Sequence, residues 1–265
     1  MPVKALKSIA LFAVLIVLVG LACMSGSSTS SPEPIPLEVE LSTAVATVEP
    51  TQTAEPTETV EPTETAAPSE TSQPSPQQFF TEDFDSDSGY WDLNIVKNND
   101  TSDPTKAMAG IKDGIFDFAI DGKFLTIYSF YTPFEYDNVK IDVKFENRGT
   151  NNNQVNIICR ATEDGWYEFS ISSGGLYKIY AIEPGKGYRK LQDGGSTKIK
   201  PGKEFNEYVV ICNDRTLSLY VNGTETRVFE ENEYVFEKGL VGIGLSSFDQ
   251  LPVEIKVDSV TISEP

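Results

Sequence analysis

Thr216-Leu-Ser-Leu-Tyr-Val-Asn-Gly-Thr-Glu-Thr-Arg-Val-Phe229 is the stretch of sequence that decides the fold. Leu217, Leu219 and Val221 alternate with polar or amphipathic residues, which is the period of a half-buried β-strand. Asn222-Gly223 follows at once, and this dipeptide tolerates the positive φ angles of a two-residue hairpin turn. The stretch therefore predicts two antiparallel strands joined by a tight turn.

The same alternation recurs along the chain and predicts an all-β fold. In Asn138–Phe145 the odd-numbered residues are apolar and the even-numbered ones polar, so one face is expected in a core and the other in water. Asp113-Gly114 and Asp121-Gly122 flank the apolar run Ile115–Ile120 and predict hairpin turns on both sides. The remaining predicted strands are 124–129, 154–160, 166–171, 176–182, 187–192, 205–212, 239–245 and 253–257. About thirteen short strands without a helical period predict a two-sheet antiparallel β-sandwich.

Charge and composition exclude several functional classes. The net charge is −19; Lys4 and Lys7 contribute +2 and nine glutamates between 24 and 77 contribute −9, so residues 78–265 carry −12. Such an acidic domain is a poor nucleic-acid binder, because phosphate contacts require Lys and Arg. The chain has no histidine, which removes the serine–histidine triad and the imidazole ligand of catalytic zinc.

The first 23 residues have the pattern of an export signal. Lys4 and Lys7 precede the apolar run Ile9–Ala22, which is short for a membrane span and typical of a signal peptide. Cys23 follows Gly20-Leu-Ala22, which resembles a bacterial lipobox whose cysteine becomes the lipidated first residue. Plain secretion and an uncleaved anchor are the alternatives. All three predict an extracytoplasmic protein, either membrane-anchored as a lipoprotein or secreted.

Residues 24–77 are predicted to be a disordered Thr/Pro/Glu-rich linker. Proline recurs every sixth residue at 50, 56, 62, 68 and 74, which blocks helix formation. The segment has too little apolar surface to offset the entropy of ordering. We expect it to act as a stalk that holds the folded domain, residues 78–265, away from the membrane.

Five further stretches carry a family resemblance. They are Glu82-Asp-Phe-Asp85 with Gly89-Tyr-Trp91, Ile157-Ile-Cys-Arg160 with Gly165-Trp-Tyr-Glu-Phe169, Leu217-Ser-Leu-Tyr-Val-Asn-Gly223, Gly239-Leu-Val-Gly-Ile-Gly244, and Val257-Asp-Ser-Val-Thr-Ile262. In this order and spacing they resemble the concanavalin A-like lectin/glucanase superfamily, the jelly rolls that include laminin G-like modules. The resemblance covers about residues 78–265 and implies the fold rather than one activity.

The resemblance also implies which catalytic carboxylates this chain lacks and which metal ion to expect. Family 16 glucanases of this fold use Glu-x-Asp-x-Glu on one strand, where this chain has Gln154, Asn156 and Ile158. A structural calcium ion is frequent in the superfamily, and the positions that match its ligands are Asp83, Gly114 and Asp258. Hard cations prefer such oxygen ligands. A solvated Asp258 without a metal ion is the alternative.

Strand alternation selects a ligand-binding surface on one sheet. If Val155, Ile157 and Cys159 point into the core, the intervening residues point to the opposite, concave side. The expected ligand-binding residues on that side are Asn156, Arg160, Trp166, Glu168, Lys178 and Tyr180. Sugars need this combination of aromatic faces with amide, guanidinium and carboxylate groups. The alternative is that Trp166 supports its turn and that Arg160 pairs with Glu168 in solvent.

These observations predict a cell-surface protein, anchored by lipid, that binds a glycan or another envelope component without catalysis. One alternative is a hydrolase of the 3-keto-disaccharide hydrolase type, with Glu168 and Asp164 as an acid/base pair. Another is a structural, protein-binding laminin G-like module. Cys159 and Cys212 both lie in apolar strands of an exported domain, so a disulfide or two buried thiols are both compatible with the sequence.

Overall fold

A computed structural model describes residues 75–265 of the chain. The predicted signal peptide, Cys23 and the predicted linker up to Pro74 lie outside the described residues. Within 75–265 the chain forms fifteen β-strands and one 3-10 turn, Pro104–Lys106. No helix in this range is long and apolar enough to cross a membrane.

The strands follow one another with short connections. They are β1 (Phe80–Glu82), β2 (Trp91–Lys97), β3 (Ala107–Lys112), β4 (Ile115–Ile120), β5 (Leu125–Tyr136), β6 (Val139–Asn147), β7 (Asn153–Ala161), β8 (Trp166–Ile171), β9 (Leu176–Glu183), β10 (Gly187–Gly195), β11 (Phe205–Asn213), β12 (Thr216–Val221), β13 (Thr224–Glu230), β14 (Gly239–Ser247) and β15 (Val253–Ser263).

The strands form two antiparallel sheets, which confirms the predicted all-β sandwich. Sheet A has eight strands in the order β13-β12-β11-β6-β15-β4-β3, with β1 also paired to β15. Sheet B has seven strands in the order β10-β9-β8-β7-β14-β5-β2. Six of the thirteen strand pairings within residues 75–265 join consecutive strands, and the other seven, such as β6–β15 and β7–β14, join strands that are distant in sequence, as in a jelly roll.

The core lies between the two sheets and follows the predicted alternation. Val139, Ile141, Val143 and Phe145 on β6 are each at most 1% exposed, whereas Lys144 between them is exposed. Burial of such side chains stabilises the fold by about 1.5–3 kcal/mol each. Trp91 also belongs to this core and packs between Phe116 of sheet A and Tyr131 of sheet B.

A disulfide bond joins the two sheets through the core. Cys159 on β7 of sheet B is bonded to Cys212 on β11 of sheet A, and their Cα atoms are 6.7 Å apart. Both residues are fully buried. The bond therefore ties the facing layers together at a point that solvent does not reach.

The hairpin predictions are right at one Asp-Gly dipeptide and wrong at the other. Asp113 and Gly114 have φ angles of 53° and 75° and join β3 to β4. Asn222 and Gly223, at 48° and 74°, join β12 to β13 in the same way. Asp121-Gly122, however, leads from β4 in sheet A to β5 in sheet B. Ile120 and Leu125 are therefore buried in the core from opposite sheets and do not form a hairpin.

Candidate functional site

The candidate site lies on the outer face of sheet B, the side turned away from the core. Cross-strand register brings alternate residues of adjacent strands into rows on this face. One row contains Gly244, Asn156, Ser170 and Lys178, from β14, β7, β8 and β9. The next row contains Ile158, Glu168 and Tyr180. Tyr128 lies opposite Gly244 on β5, and its ring packs so closely over this glycine that a Cβ there would lie 3.1 Å from it.

A buried carboxyl group forms the centre of this face. Glu168 is 2% exposed, and its oxygens accept hydrogen bonds from Tyr128 Oη at 2.7 Å and Ser170 Oγ at 2.7 Å. Trp166 Nε1 donates to the same carboxyl at 3.4 Å. No ion pair reaches Glu168 from the described residues, so burial raises the pKa of this carboxyl above its ordinary value of 4.5 while the three hydrogen bonds oppose the shift.

A chain of polar side chains extends from this centre towards β2. Ser170 Oγ also lies 3.0 Å from Asn156 Oδ1, so its single proton is shared between this oxygen and the Glu168 carboxyl, and Asn156 Nδ2 donates to Ser246 Oγ at 2.8 Å. Ser246 in turn contacts Thr126 Oγ1 at 2.8 Å. These groups satisfy one another, so they form a rigid floor rather than a set of free ligand contacts.

Aromatic side chains stand around the polar floor. Trp166 is half-buried and meets the ring of Tyr128 edge-on, with centroids 6.0 Å apart. Tyr180 and Tyr188 form a second edge-on pair at 5.3 Å, and Tyr188 Oη lies 3.3 Å from Tyr128 Oη. Burial and the nearby Glu168 raise the pKa of Tyr188 to about 12, so its hydroxyl stays protonated at neutral pH.

Two cavities open on this face, on either side of Tyr128 and Glu168. The smaller, of about 270 Å³, contains Glu168, Lys178 and Gln154 in its wall beside the rings of Tyr180 and Tyr188. The larger, of about 860 Å³, is lined by Trp166, Phe130 and other apolar groups together with three carboxylates, Glu135, Glu163 and Asp164. Both cavities therefore place aromatic rings next to polar groups.

Five of the six predicted ligand-binding residues lie on this face. Trp166, Lys178 and Tyr180 are half-buried and line the cavities, whereas Asn156 and Glu168 are buried in the floor. The sequence analysis placed Gln154 on this side of the sheet but not among the ligand-binding residues, and it missed Tyr128, Phe130, Tyr188 and Ser246. Tyr128 and Phe130 belong to one alternating face of β5, but their role depends on β5 lying beside β14, which the sequence does not indicate.

The prediction for Arg160 is wrong. The register of β7 against β14 shifts between Ile158 and Ala161, and Arg160 adopts a φ of 56° within this bulge. Its guanidinium turns to the end of the sandwich and donates to the carbonyls of Asp137 at 2.7 Å, Asp214 at 2.8 Å and Phe236 at 3.0 Å. Arg160 therefore neither lines the outer face of sheet B nor pairs with Glu168.

Arg160 belongs instead to a separate cavity of about 360 Å³. Glu231 in its wall accepts a short hydrogen bond from Tyr167 Oη and further ones from the N–H groups of Glu233, Tyr234 and Val235. The buried polar groups here satisfy one another and fix three loops. We assign this cavity a structural role.

The glucanase carboxylates are absent, as expected. Gln154, Asn156 and Ile158 face the site from β7, and none of them can act as acid or nucleophile. Asp164, the suggested partner of Glu168, is exposed in the turn before β8 and lines the larger cavity, whereas Glu168 lines the smaller one. Glu168 is the only carboxylate in the wall of the smaller cavity among the described residues.

The expected calcium-binding positions meet at one end of sheet A. Glu82 pairs with Val260 and Phe116 with Val257, so the chain brings Asp83, Gly114 and Asp258 to the same end, and the register of β15 shifts between Val257 and Ser259. Asp258 is paired with Lys144 Nζ at 2.8 Å, so an ammonium group already neutralises it. The described residues contain no group of three or more acidic, Cys or His side chains placed to hold a metal ion. A calcium ion here stays a prediction.

Comparison with known proteins identifies the fold. No protein-family model matches the chain, and no curated protein matches it in sequence. A Bacillus subtilis protein of unknown function with a galectin-like fold superposes with a TM-score of 0.54 and 8% identity, covering 70% of this chain and 94% of that chain.

Two glycan-acting proteins are similar to the same extent. A GH16 protein of the Bacteroides ovatus mixed linkage glucan PUL, in complex with its G4G4G3G product, has a TM-score of 0.53 and 12% identity over 69% of this chain and 99% of that chain. The Bacillus licheniformis β-glucanase has a TM-score of 0.53 and 12% identity over 71% and 99%. Residues 75–265 therefore have the jelly-roll fold of the concanavalin A-like group, as the sequence resemblance predicted.

Proposed function

We propose that this chain is a non-catalytic glycan-binding protein and that the outer face of sheet B holds the sugar. The observation that carries the proposal is the arrangement of aromatic rings around a hydrogen-bonded polar floor on a single sheet face. Jelly rolls of the same fold act on or bind glycans, as the mixed linkage glucan and β-glucanase structures illustrate. That likeness supports the proposal but does not select a ligand.

The two cavities suit the two kinds of surface that a sugar presents. The C–H face of a pyranose ring packs on an aromatic ring, and half-buried Trp166 offers such a face in the larger cavity. Sugar hydroxyls need donors and acceptors at fixed positions, and the half-buried Lys178 and Gln154 provide them in the smaller cavity. Because the floor is already hydrogen-bonded, the site is preorganised and needs little ordering upon binding.

Binding of polysaccharides by the purified chain tests the proposal. We expect a saturable interaction with at least one soluble polysaccharide in affinity electrophoresis, followed by calorimetry on oligosaccharides of that polymer. Trp166→Ala is expected to weaken binding by about tenfold or more, since it removes an aromatic stacking surface.

Phe205→Ala is the matched control, because Phe205 is an aromatic residue that is 49% exposed on sheet A. It is expected to leave binding unchanged. Absence of saturable binding across neutral, acidic and amino-sugar polysaccharides would refute the proposal. Equal losses in both variants would move the binding site elsewhere.

A hydrolase is the second candidate, and the buried Glu168 favours it. A carboxyl with a raised pKa can act as a general acid, but glycoside hydrolysis needs a second carboxyl at about 5–9.5 Å. Release of reducing ends from a bound polysaccharide, lost in Glu168→Gln, would establish this activity. Binding without release supports the non-catalytic function, and binding of proteins alone would indicate a laminin G-like role.

We also propose that the domain is displayed outside the cytoplasmic membrane on a lipid anchor at Cys23. The apolar run before Cys23 and the proline-rich segment after it support this. Incorporation of labelled palmitate in a bacterial host, lost in Cys23→Ser, is the expected result. Unlabelled protein in the culture medium would indicate secretion instead.

A further inference from the structure

The last strand of sheet B has an unusually apolar and unprotected edge. β2 has β5 on one side and no other described strand on the other. Leu93 and Ile95 lie on its core-facing side with Trp91, yet they are 49% and 39% exposed. A seven-residue strand of this kind offers a ready template for pairing with another strand.

The backbone groups of Leu93 and Ile95 point to this free edge. Thr132 N donates to Tyr90 O at 3.0 Å, and Asn98 N donates to Phe124 O at 2.9 Å, in the same register as the β2–β5 ladder. Hydrogen-bonded and non-hydrogen-bonded pairs alternate in an antiparallel ladder, so the even-numbered residues of β2 bond to β5. The N–H and C=O groups of the odd-numbered residues therefore face outward.

Two of the other sheet edges, β10 and β13, carry features that discourage pairing. β10 has Arg189 and Lys190 next to a register shift, and the partner of β13 is bulged at Leu219. Arg227 on β13 also contacts the side chain of Gln192 on β10, which links these two edges. β2 is regular throughout its length.

We propose that β2 binds β2 of a second copy of this chain, antiparallel, so that the two copies of sheet B become one continuous sheet. The register places Leu93 opposite Ile95 of the second copy. The two-fold axis then places Ile95 opposite Leu93 of the second copy. Asn94 then lies opposite Asn94 on the axis. Each Leu93–Ile95 pair exchanges two backbone hydrogen bonds and buries both exposed apolar side chains.

The charge distribution leaves the centre of β2 free of the repulsion expected between two acidic copies. Residues 78–265 carry a net charge of −12, so most surfaces of two copies repel each other. β2 contains one acidic and one basic residue, Asp92 and Lys97, at its two ends, and its centre is uncharged. Shifting the register by one pair in one direction would place Leu93 opposite Lys97. Shifting it in the other would place Ile95 opposite Trp91, whose side chain is already buried in the core.

Sedimentation of the full chain carrying Cys23→Ser tests the association without the lipid. We expect a concentration-dependent dimer, and we expect Ile95→Lys to raise the dimer dissociation constant by about tenfold or more, since the change occurs twice in each dimer. Val228→Lys is the control, because Val228 is 43% exposed on the edge strand β13. It should leave the association unchanged.

Cysteine cross-linking tests the register. Asn94→Cys in the same background should oxidise to a covalent dimer on a non-reducing gel, because residue 94 meets itself on the axis. Asp92→Cys, which lies opposite Val96 of the second copy, should cross-link far less. A chain that stays monomeric at its highest soluble concentration, or a dimer that Ile95→Lys leaves intact, overturns the proposal, as does equal cross-linking at both positions. None of these results depends on glycan binding.

Discussion

Removing the bond between Cys159 and Cys212 should reduce the stability of the domain severely. The two cysteines are 53 residues apart in sequence, and the cross-link lowers the entropy of the unfolded chain according to the length of the loop it closes. For this loop the chain-entropy relation gives about 4 kcal/mol at 25 °C. Because domains are typically stable by about 5–15 kcal/mol, the double variant Cys159→Ala/Cys212→Ala should keep only part of its stability.

Urea unfolding followed by tryptophan fluorescence measures this loss. Trp91 is buried in the core and Trp166 is half-buried on sheet B, so the signal reports both the core and the outer face. Cys159→Ala alone should lose nearly as much as the double variant, since either change removes the cross-link. A double variant within about 1 kcal/mol of the wild type would refute the reasoning, since the loop-closure term would then be absent.

Two further predictions concern buried charged groups. Burial raises the pKa of Glu168, so the protonated carboxyl contributes stability below about pH 4.5, and this contribution is lost as the pH rises through the raised pKa. Glu168→Gln should remove this part of the pH dependence of stability. Urea unfolding midpoints measured between about pH 4 and pH 8 would reveal the change. An unchanged profile in the variant would contradict the raised pKa. Arg160→Met should lower the free energy of unfolding by about 2–4 kcal/mol because three loop carbonyls lose their charged donor, whereas Arg148→Met, which only breaks an exposed pair with Glu146, should cost less than about 1 kcal/mol. Similar losses of unfolding free energy in both variants would show that the buried Arg160 contacts stabilise the fold no more than the exposed Arg148–Glu146 pair.

Local alternation predicted the sheets well where one face of a strand is buried and the other is wet. β6 is the clearest case, because its apolar residues at 139, 141, 143 and 145 are all in the core. The same reasoning placed Trp166, Glu168, Lys178 and Tyr180 on one face of a sheet. The structure confirms this position, and the strands that carry them are adjacent in the sheet and consecutive in sequence. It failed for Arg160, because alternation assumes a regular strand and a single bulge reverses the direction of a side chain.

Other features depend on contacts that sequence patterns do not encode. Tyr128 reaches Glu168 across two intervening strands, β14 and β7, whose positions follow from the jelly-roll strand order. β2 was not predicted as a strand, since it lies at the edge and its apolar residues remain half-exposed. Such edge strands gain their structure from the neighbour they pair with rather than from their own pattern.

The position of β2 also bears on how strongly a surface polymer could be held. Asn94 and Val96 point into the larger cavity, while the outer backbone of the same strand is the proposed contact with a second copy. In the joined pair the larger cavities of the two copies would lie side by side, so a long polysaccharide that dissociated from one cavity would still be held by the other. Retention of this kind multiplies modest single-site affinities by about 10²–10⁴ when the geometry allows both sites to engage. Two weak binding sites would in this way give strong overall binding of a long polymer.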